Sequence, residues 1–106
     1  MIFHELKDLP RKELLPGIEG HLIHTDSLTI GYFDIEEGAV LPEHSHVHEQ
    51  VTNLLEGEFE MTINGETKLM RAGHVATIPS NALHSGFAKT KCRVIDVFNP
   101  VREDYK

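Results

Sequence analysis

Residues 38–57 read GAVLPEHSHVHEQVTNLLEG, and a second stretch, residues 73–88, reads GHVATIPSNALHSGFA. In the first, His44 and His46 stand two apart and Gln50 follows in the same phase. On an extended strand that spacing turns the side chains to one face. The second stretch adds one isolated histidine, His84. Three neutral nitrogens and an amide oxygen converging from two strands suit a divalent first-row metal and leave coordination positions open for a substrate. Manganese, iron, nickel, cobalt and zinc all satisfy such donors, because availability as well as affinity selects among them.

The remainder of the chain predicts an all-β fold. Its 106 residues make one domain, 1–106, large enough to bury a core. Ser27 to Ile35 is rich in β-branched and aromatic residues, and Phe59, Met61 and Ile63 alternate with Glu58, Glu60 and Thr62. Asn64-Gly65 is a two-residue hairpin signal, Thr67 to Arg71 is its partner strand, and Ala72-Gly73 turns the chain. Val75 to Ile78 and Cys92 to Phe98 add further strands. Pro10 to Leu15 reads as the one helical turn, closed by Pro16-Gly17. Short strands with Gly, Pro and Asn punctuation and almost no helix mean a sandwich or barrel.

Charge and composition narrow the function classes. Ten Lys plus Arg against seventeen Asp plus Glu leave a net charge of -7, which argues against a nucleic-acid partner. No apolar run approaches the roughly 20 residues of a membrane span. The opening MIFHELKDLP lacks the basic-then-apolar order of a signal peptide, so a cytoplasmic protein without membrane attachment is expected. Cys92, the single cysteine, has no internal disulfide partner and reads as a buried thiol in KCRVIDVF.

Gly38, His44, His46, Gln50 and Gly57 fall at the spacing of the first cupin motif, and Gly73, Pro79 and His84 at that of the second. The chain thus resembles a single-domain cupin, a small β-barrel of the jelly-roll kind, with motif 1 over about 38–57 and motif 2 over about 73–88. It departs from the pattern at Gln50, where many cupins carry glutamate, at Asn81, often glycine, and at Ala88, often asparagine. Asn best replaces glycine in a left-handed turn. Gln50 keeps an oxygen for the metal and discards a charge, so a bound dication keeps nearly its full charge and favours anionic, oxygen-rich ligands. An acid with a neighbouring hydroxyl or carbonyl can chelate such a metal, which then acts as a Lewis acid.

The ending, Asp96-Val97-Phe98-Asn99-Pro100-Val101-Arg102-Glu103-Asp104-Tyr105, resembles the KdgF-type cupins that linearise unsaturated monouronates. That resemblance implies active-site roles for Asp96, Phe98 and Arg102. Asp96 and Phe98 share a strand face by period two. Asp96 is then a candidate proton shuttle, Phe98 an apolar wall against a sugar ring, and Arg102 a planar fork for a carboxylate. His48 shares strand phase with the ligands and is a further candidate for the site; His4, His21, His24 and His74 read as surface or packing residues. The resulting expectation is a metal-dependent enzyme of carbohydrate metabolism acting on a small sugar acid, with a homodimer implied by the resemblance. The alternatives are a quercetinase-like metal-dependent dioxygenase and a non-catalytic metal and sugar-acid binding module.

Overall fold

The computed structural model describes residues 2–106. Ten strands follow in chain order: β1 (Arg11–Leu15), β2 (Ile18–His24), β3 (Thr29–Ile35), β4 (Val40–His44), β5 (Glu49–Glu56), β6 (Glu58–Ile63), β7 (Glu66–Arg71), β8 (Val75–Ile78), β9 (His84–Ala88) and β10 (Cys92–Asn99). They form two antiparallel sheets, β1-β2-β3-β10-β5-β8 and β4-β9-β6-β7. These face each other as a small jelly-roll barrel. Among the described residues, no helix is long and apolar enough to cross a membrane.

Alternation explains the packing. On β2 and β3 every second residue is buried, giving Ile18 and Leu22 from one strand and Phe33 and Ile35 from the next. Leu54 and Val94 extend that floor, and Phe59, Met61, Met70 and Ala88 meet it from the smaller sheet. Burial of this apolar surface, at roughly 25 cal/mol per Å², is the main drive for closing the barrel. Cys92 is 2% exposed and forms part of this core. Asn64-Gly65 makes the expected tight hairpin, with φ of 49° and 83° and Ile63 paired to Glu66.

Two expectations need correction. Pro10 to Leu15 holds no helical turn: Arg11–Leu15 is the edge strand β1, paired with β2 in the register Lys12 to Gly20. Helical propensity of a six-residue segment is weak against an available sheet edge, and the Leu22 N–H reaching the Pro10 carbonyl (3.1 Å) extends the pairing. The short 3-10 turns lie instead at Leu6–Asp8 and Glu103–Tyr105. Second, His44 and His46 do not share a strand, because β4 stops at His44 and His46 sits in the turn that leads to β5.

That turn is one of two places near the site where the chain crosses between sheets: β4 passes to β5 through His46, and β8 to β9 through Pro79 to Leu83, while β5 passes to β6 through Gly57 at the other end of the barrel. The two crossings near the site are tied together. Asn81, left-handed at φ 64° as expected of an asparagine at a position where the motif often has glycine, donates its N–H to the His46 carbonyl at 2.8 Å, and the Ser80 hydroxyl donates to the Val47 carbonyl.

Gly57 has φ +93°, and a Cβ there would run into the Lys91 carbonyl, with Cys92 Sγ and Thr90 Oγ1 each at 2.9 Å. Gly38 has φ +85° but open space around it. Gly38→Ala should therefore cost only the left-handed backbone penalty, about 1–2 kcal/mol. Gly57→Ala should add overpacking to that penalty and cost about 3 kcal/mol or more. Denaturant unfolding of the two variants checks this, and equal losses would show that the crowding at Gly57 relaxes freely.

Candidate metal centre and its cavity

The register of β4 against β9 starts the site. A shift between Leu41 and His44 brings His44 directly opposite His84, and their rings lie 4.2 Å apart between centroids. The tied crossing loops carry His46 over the same spot, 4.8 Å from the His84 ring and 5.5 Å from that of His44. One ligand atom from each of His44, His46 and His84 falls within 4.8 Å of the others. The cluster therefore lies at an end of the barrel, where strand ends and crossing loops meet.

Hydrogen bonds fix how these imidazoles point. Nδ1 of His44 lies 2.8 Å from the Pro42 carbonyl, that of His46 3.0 Å from the His48 carbonyl, and that of His84 2.9 Å from the Ala82 carbonyl. A carbonyl only accepts, so each Nδ1 carries the proton and each neutral ring presents an Nε2 lone pair. Nε2 of His84 is buried and has no hydrogen-bond partner. Burial holds the His84 imidazolium down to about 4. Burial and then the Arg102 charge hold His46 below the ordinary histidine range.

Gln50 completes the donor set. It is 5% exposed on β5, its Nε2 donates to the Thr52 hydroxyl at 2.9 Å, and its Oε1 lies 3.0 Å from His46 Nε2. With the His46 proton on Nδ1, the latter contact sets two acceptors face to face. Facing lone pairs around a buried nitrogen lacking a partner are satisfied by a cation, so these residues fit a divalent first-row metal held by neutral donors. His48 joins through its backbone: its carbonyl orients His46, while its ring stands edge-on to His46 at 5.4 Å with a buried, unpartnered Nδ1.

The β5 and β10 register places the remaining residues. Phe98 pairs with Gln50 and Asp96 with Thr52, so all four side chains share the inner face beside the histidines. A cavity of about 540 Å³ opens there, with His44, Gln50, Thr52, Asp96, Phe98 and Arg102 among its walls. Asp96 Oδ1 is buried without a partner. Burial pushes its carboxyl up to about 6, against the opposing pull of Thr52, Gln50 and Arg102. Phe98 is 2% exposed and lies edge-on to His46, 5.9 Å between centroids.

Arg102 sits differently from the free carboxylate fork expected of it. Its Nε and Nη2 donate to the two carboxylate oxygens of Asp104 at 3.0 and 2.8 Å, and its guanidinium lies 3.9 Å from the Tyr105 centroid and 4.9 Å from that of Phe98. One edge of the fork is thereby committed within the chain. Nη1 remains buried and unpartnered. The Arg102 N–H donates to the Thr29 hydroxyl at 2.8 Å, and that hydroxyl meets His24 Nδ1 at 2.8 Å. Thr29, Thr52, Asp104 and Tyr105 were not singled out from the sequence. For Thr52 the signal existed, two residues beyond Gln50 in the same strand phase; for Asp104 it lay hidden in a run that reads as a solvated charged tail.

Comparison with known proteins agrees with this geometry. A family model described as a cupin domain matches residues 31–98. The pectin degradation protein KdgF of Dickeya dadantii (strain 3937) is 30% identical over 101 residues, covering 92% of this chain and 92% of that one. An RmlC-like cupin from Shewanella frigidimarina NCIMB 400 superposes with a TM-score of 0.93 at 26% identity, over 100% of this chain and 96% of that one. KdgF from Halomonas sp. superposes with a TM-score of 0.89 at 28% identity, over 98% and 97% of the two chains. With a model matching most of the barrel and a homologue matching nearly its whole length, this chain belongs to the cupin family, as a homologue of KdgF.

Proposed function

We propose that this cupin is a metal-dependent isomerase that opens the ring of an unsaturated monouronate and carries it to the linear keto acid. The observation that carries the reading is the pairing of two chemistries in one cavity: a convergent set of neutral donors, and next to it a buried carboxyl whose proton is held up to about 6. Homology to a pectin degradation protein supports the substrate class. His44, His46, His84 and Gln50 hold the metal in this reading. A bound divalent cation supplies Lewis acidity toward the oxygen that becomes the carbonyl.

The reaction is an isomerisation, so its atoms balance within the substrate. The bond between the anomeric carbon and the ring oxygen breaks as the anomeric hydroxyl loses its proton and becomes an aldehyde carbonyl, and the ring oxygen gains a proton and becomes an enol hydroxyl. The enol then loses that proton and gains one on the far carbon of its double bond. Asp96 is the group that moves it, because a carboxyl with its proton held near neutral pH can both give and take one. Phe98 presents an apolar face to the sugar ring, and the stacked Arg102–Tyr105 pair keeps that face in place. The buried, unpartnered Nη1 of Arg102 offers two further N–H donors.

His46→Ala should lose most of the bound metal and the activity while leaving the barrel folded, since the apolar core lies beyond the ligand cluster. Elemental analysis of the purified protein together with thermal unfolding checks this, and unchanged metal content would overturn the assigned ligand set. Asp96→Asn keeps the shape and removes the exchangeable proton, so turnover should fall by a factor on the order of 100 or more with little change in KM. The assay is anaerobic loss of the ultraviolet absorbance of unsaturated monouronate. A strict requirement for oxygen would indicate a dioxygenase instead, and wild-type turnover in Asp96→Asn would remove Asp96 from the chemistry.

A further inference from the structure

The edge strand β1 carries two neighbouring cations with opposite surroundings. Arg11 points outward and bonds Glu19 at 3.2 Å and Asp34 at 3.4 Å; Arg93, on the same outer face, also bonds Asp34, at 3.3 Å. Lys12 points the other way. It pairs with Gly20, which shares the buried face of β2 with Ile18 and Leu22, so register turns Lys12 into the barrel. There it is half-buried, lines the same cavity as His44, Asp96 and Arg102, and makes no ion pair among the described residues.

A lysine on a cavity wall that has no ion pair within the chain gains from a counter-charge brought to it. The acidic groups of that cavity do not supply one. Glu13, next to Lys12 on β1, is exposed and makes no ion pair with it; Asp104 already receives two hydrogen bonds from Arg102; and Asp96 stands on β10, separated from β1 by β2 and β3, with a proton that burial helps to retain. Opposite Lys12 the partner residue is a glycine, so no side chain of β2 stands across from it on that face. The position therefore suits an anionic group brought by a ligand.

We propose that Lys12 is the residue that captures the substrate carboxylate and so selects sugar acids over neutral sugars. This rests on the sugar-acid reading above and assigns the carboxylate to β1 rather than to Arg102 or to the metal. Arg102 has its Nε/Nη2 edge bonded to Asp104, which leaves three of its five N–H donors and partly neutralises its charge, whereas the Lys12 ammonium has no carboxylate partner among the described residues. A carboxylate on Lys12 leaves the metal's open positions for the ring and hydroxyl oxygens.

The test uses metal-loaded protein and two saturated probes, galacturonate and galactose, with binding read by calorimetry. Wild type should bind galacturonate more tightly than galactose. Lys12→Met should weaken galacturonate binding about tenfold or more, the lower end for a charge-assisted hydrogen bond, and leave galactose binding and metal content unchanged. Lys12→Arg should recover most of the loss. If wild type prefers galacturonate and Lys12→Met binds it equally well, the carboxylate sits elsewhere and the assignment to Lys12 is overturned. If wild type shows no preference for the acid, the sugar-acid reading fails first and takes this inference with it.

Discussion

Three backbone carbonyls, those of Pro42, His48 and Ala82, determine what this barrel end can bind. By accepting the Nδ1 protons of His44, His46 and His84 they select one tautomer in each ring and aim the other nitrogen inward. None of these carbonyls is free to move. Pro42 lies within β4, Ala82 in the loop that donates its own N–H to Pro79, and His48 in the turn tied to that loop through Asn81 and Ser80. The backbone thus does the orienting that carboxylates often do around metal-binding histidines, and it adds no negative charge.

The inner face of the large sheet is divided along its strands. On β10, Cys92 and Val94 are buried in the apolar core, while Asp96 and Phe98 in the same phase belong to the cavity. On β5 the corresponding sequence is Leu54, Thr52 and Gln50. The apolar half supplies the stability that lets the polar half exist. Gln50 and Thr52 are nearly fully buried and hydrogen-bonded to each other, whereas Asp96 Oδ1 and Arg102 Nη1 keep unmet capacity. Unsatisfied buried polar atoms are rare where only folding is at stake, and their concentration in one cavity marks the place where folding yields to ligand binding.

Much of this was legible in the sequence, for identifiable reasons. Period-two alternation and the Asn64-Gly65 turn are local signals, and the strands they predict are present with ends shifted by a residue or two: Thr29–Ile35, Glu66–Arg71 and Cys92–Asn99. The three histidines converge as their spacing implied, although by a different route, since His46 reaches the site from a crossing turn and not from the strand of His44. What the sequence concealed is non-local. β1 is a strand because β2 offers it an edge, and a six-residue stretch cannot announce that. The same misreading hid Lys12, because a residue in a presumed helical turn has no inward face of a sheet to occupy. Arg102 met a similar fate: its carboxylate partner stands two residues away in a 3-10 turn, which a string of charges does not reveal.

The charge pattern reconciles an acidic chain with an anionic ligand. The chain carries -7 overall, which repels an acid at long range. Around the cavity that excess nearly vanishes: Lys12 and Arg102 stand against Glu13, Asp96 and Asp104, and the ligand set of three histidines and a glutamine contributes no charge of its own, so a bound dication would make the balance positive. At physiological ionic strength the Debye length is about 8 Å, so the scattered surface carboxylates are largely screened from a molecule at the mouth. Charges inside the low-dielectric barrel are screened far less. With Gln50 in place of a carboxylate ligand that dication would keep nearly its full charge, and burial, by raising the Asp96 carboxyl to about 6, weakens the opposing charge beside it only in part. The interior field that would draw in a sugar acid is therefore set by which few charges the barrel encloses and is nearly independent of the larger number it displays.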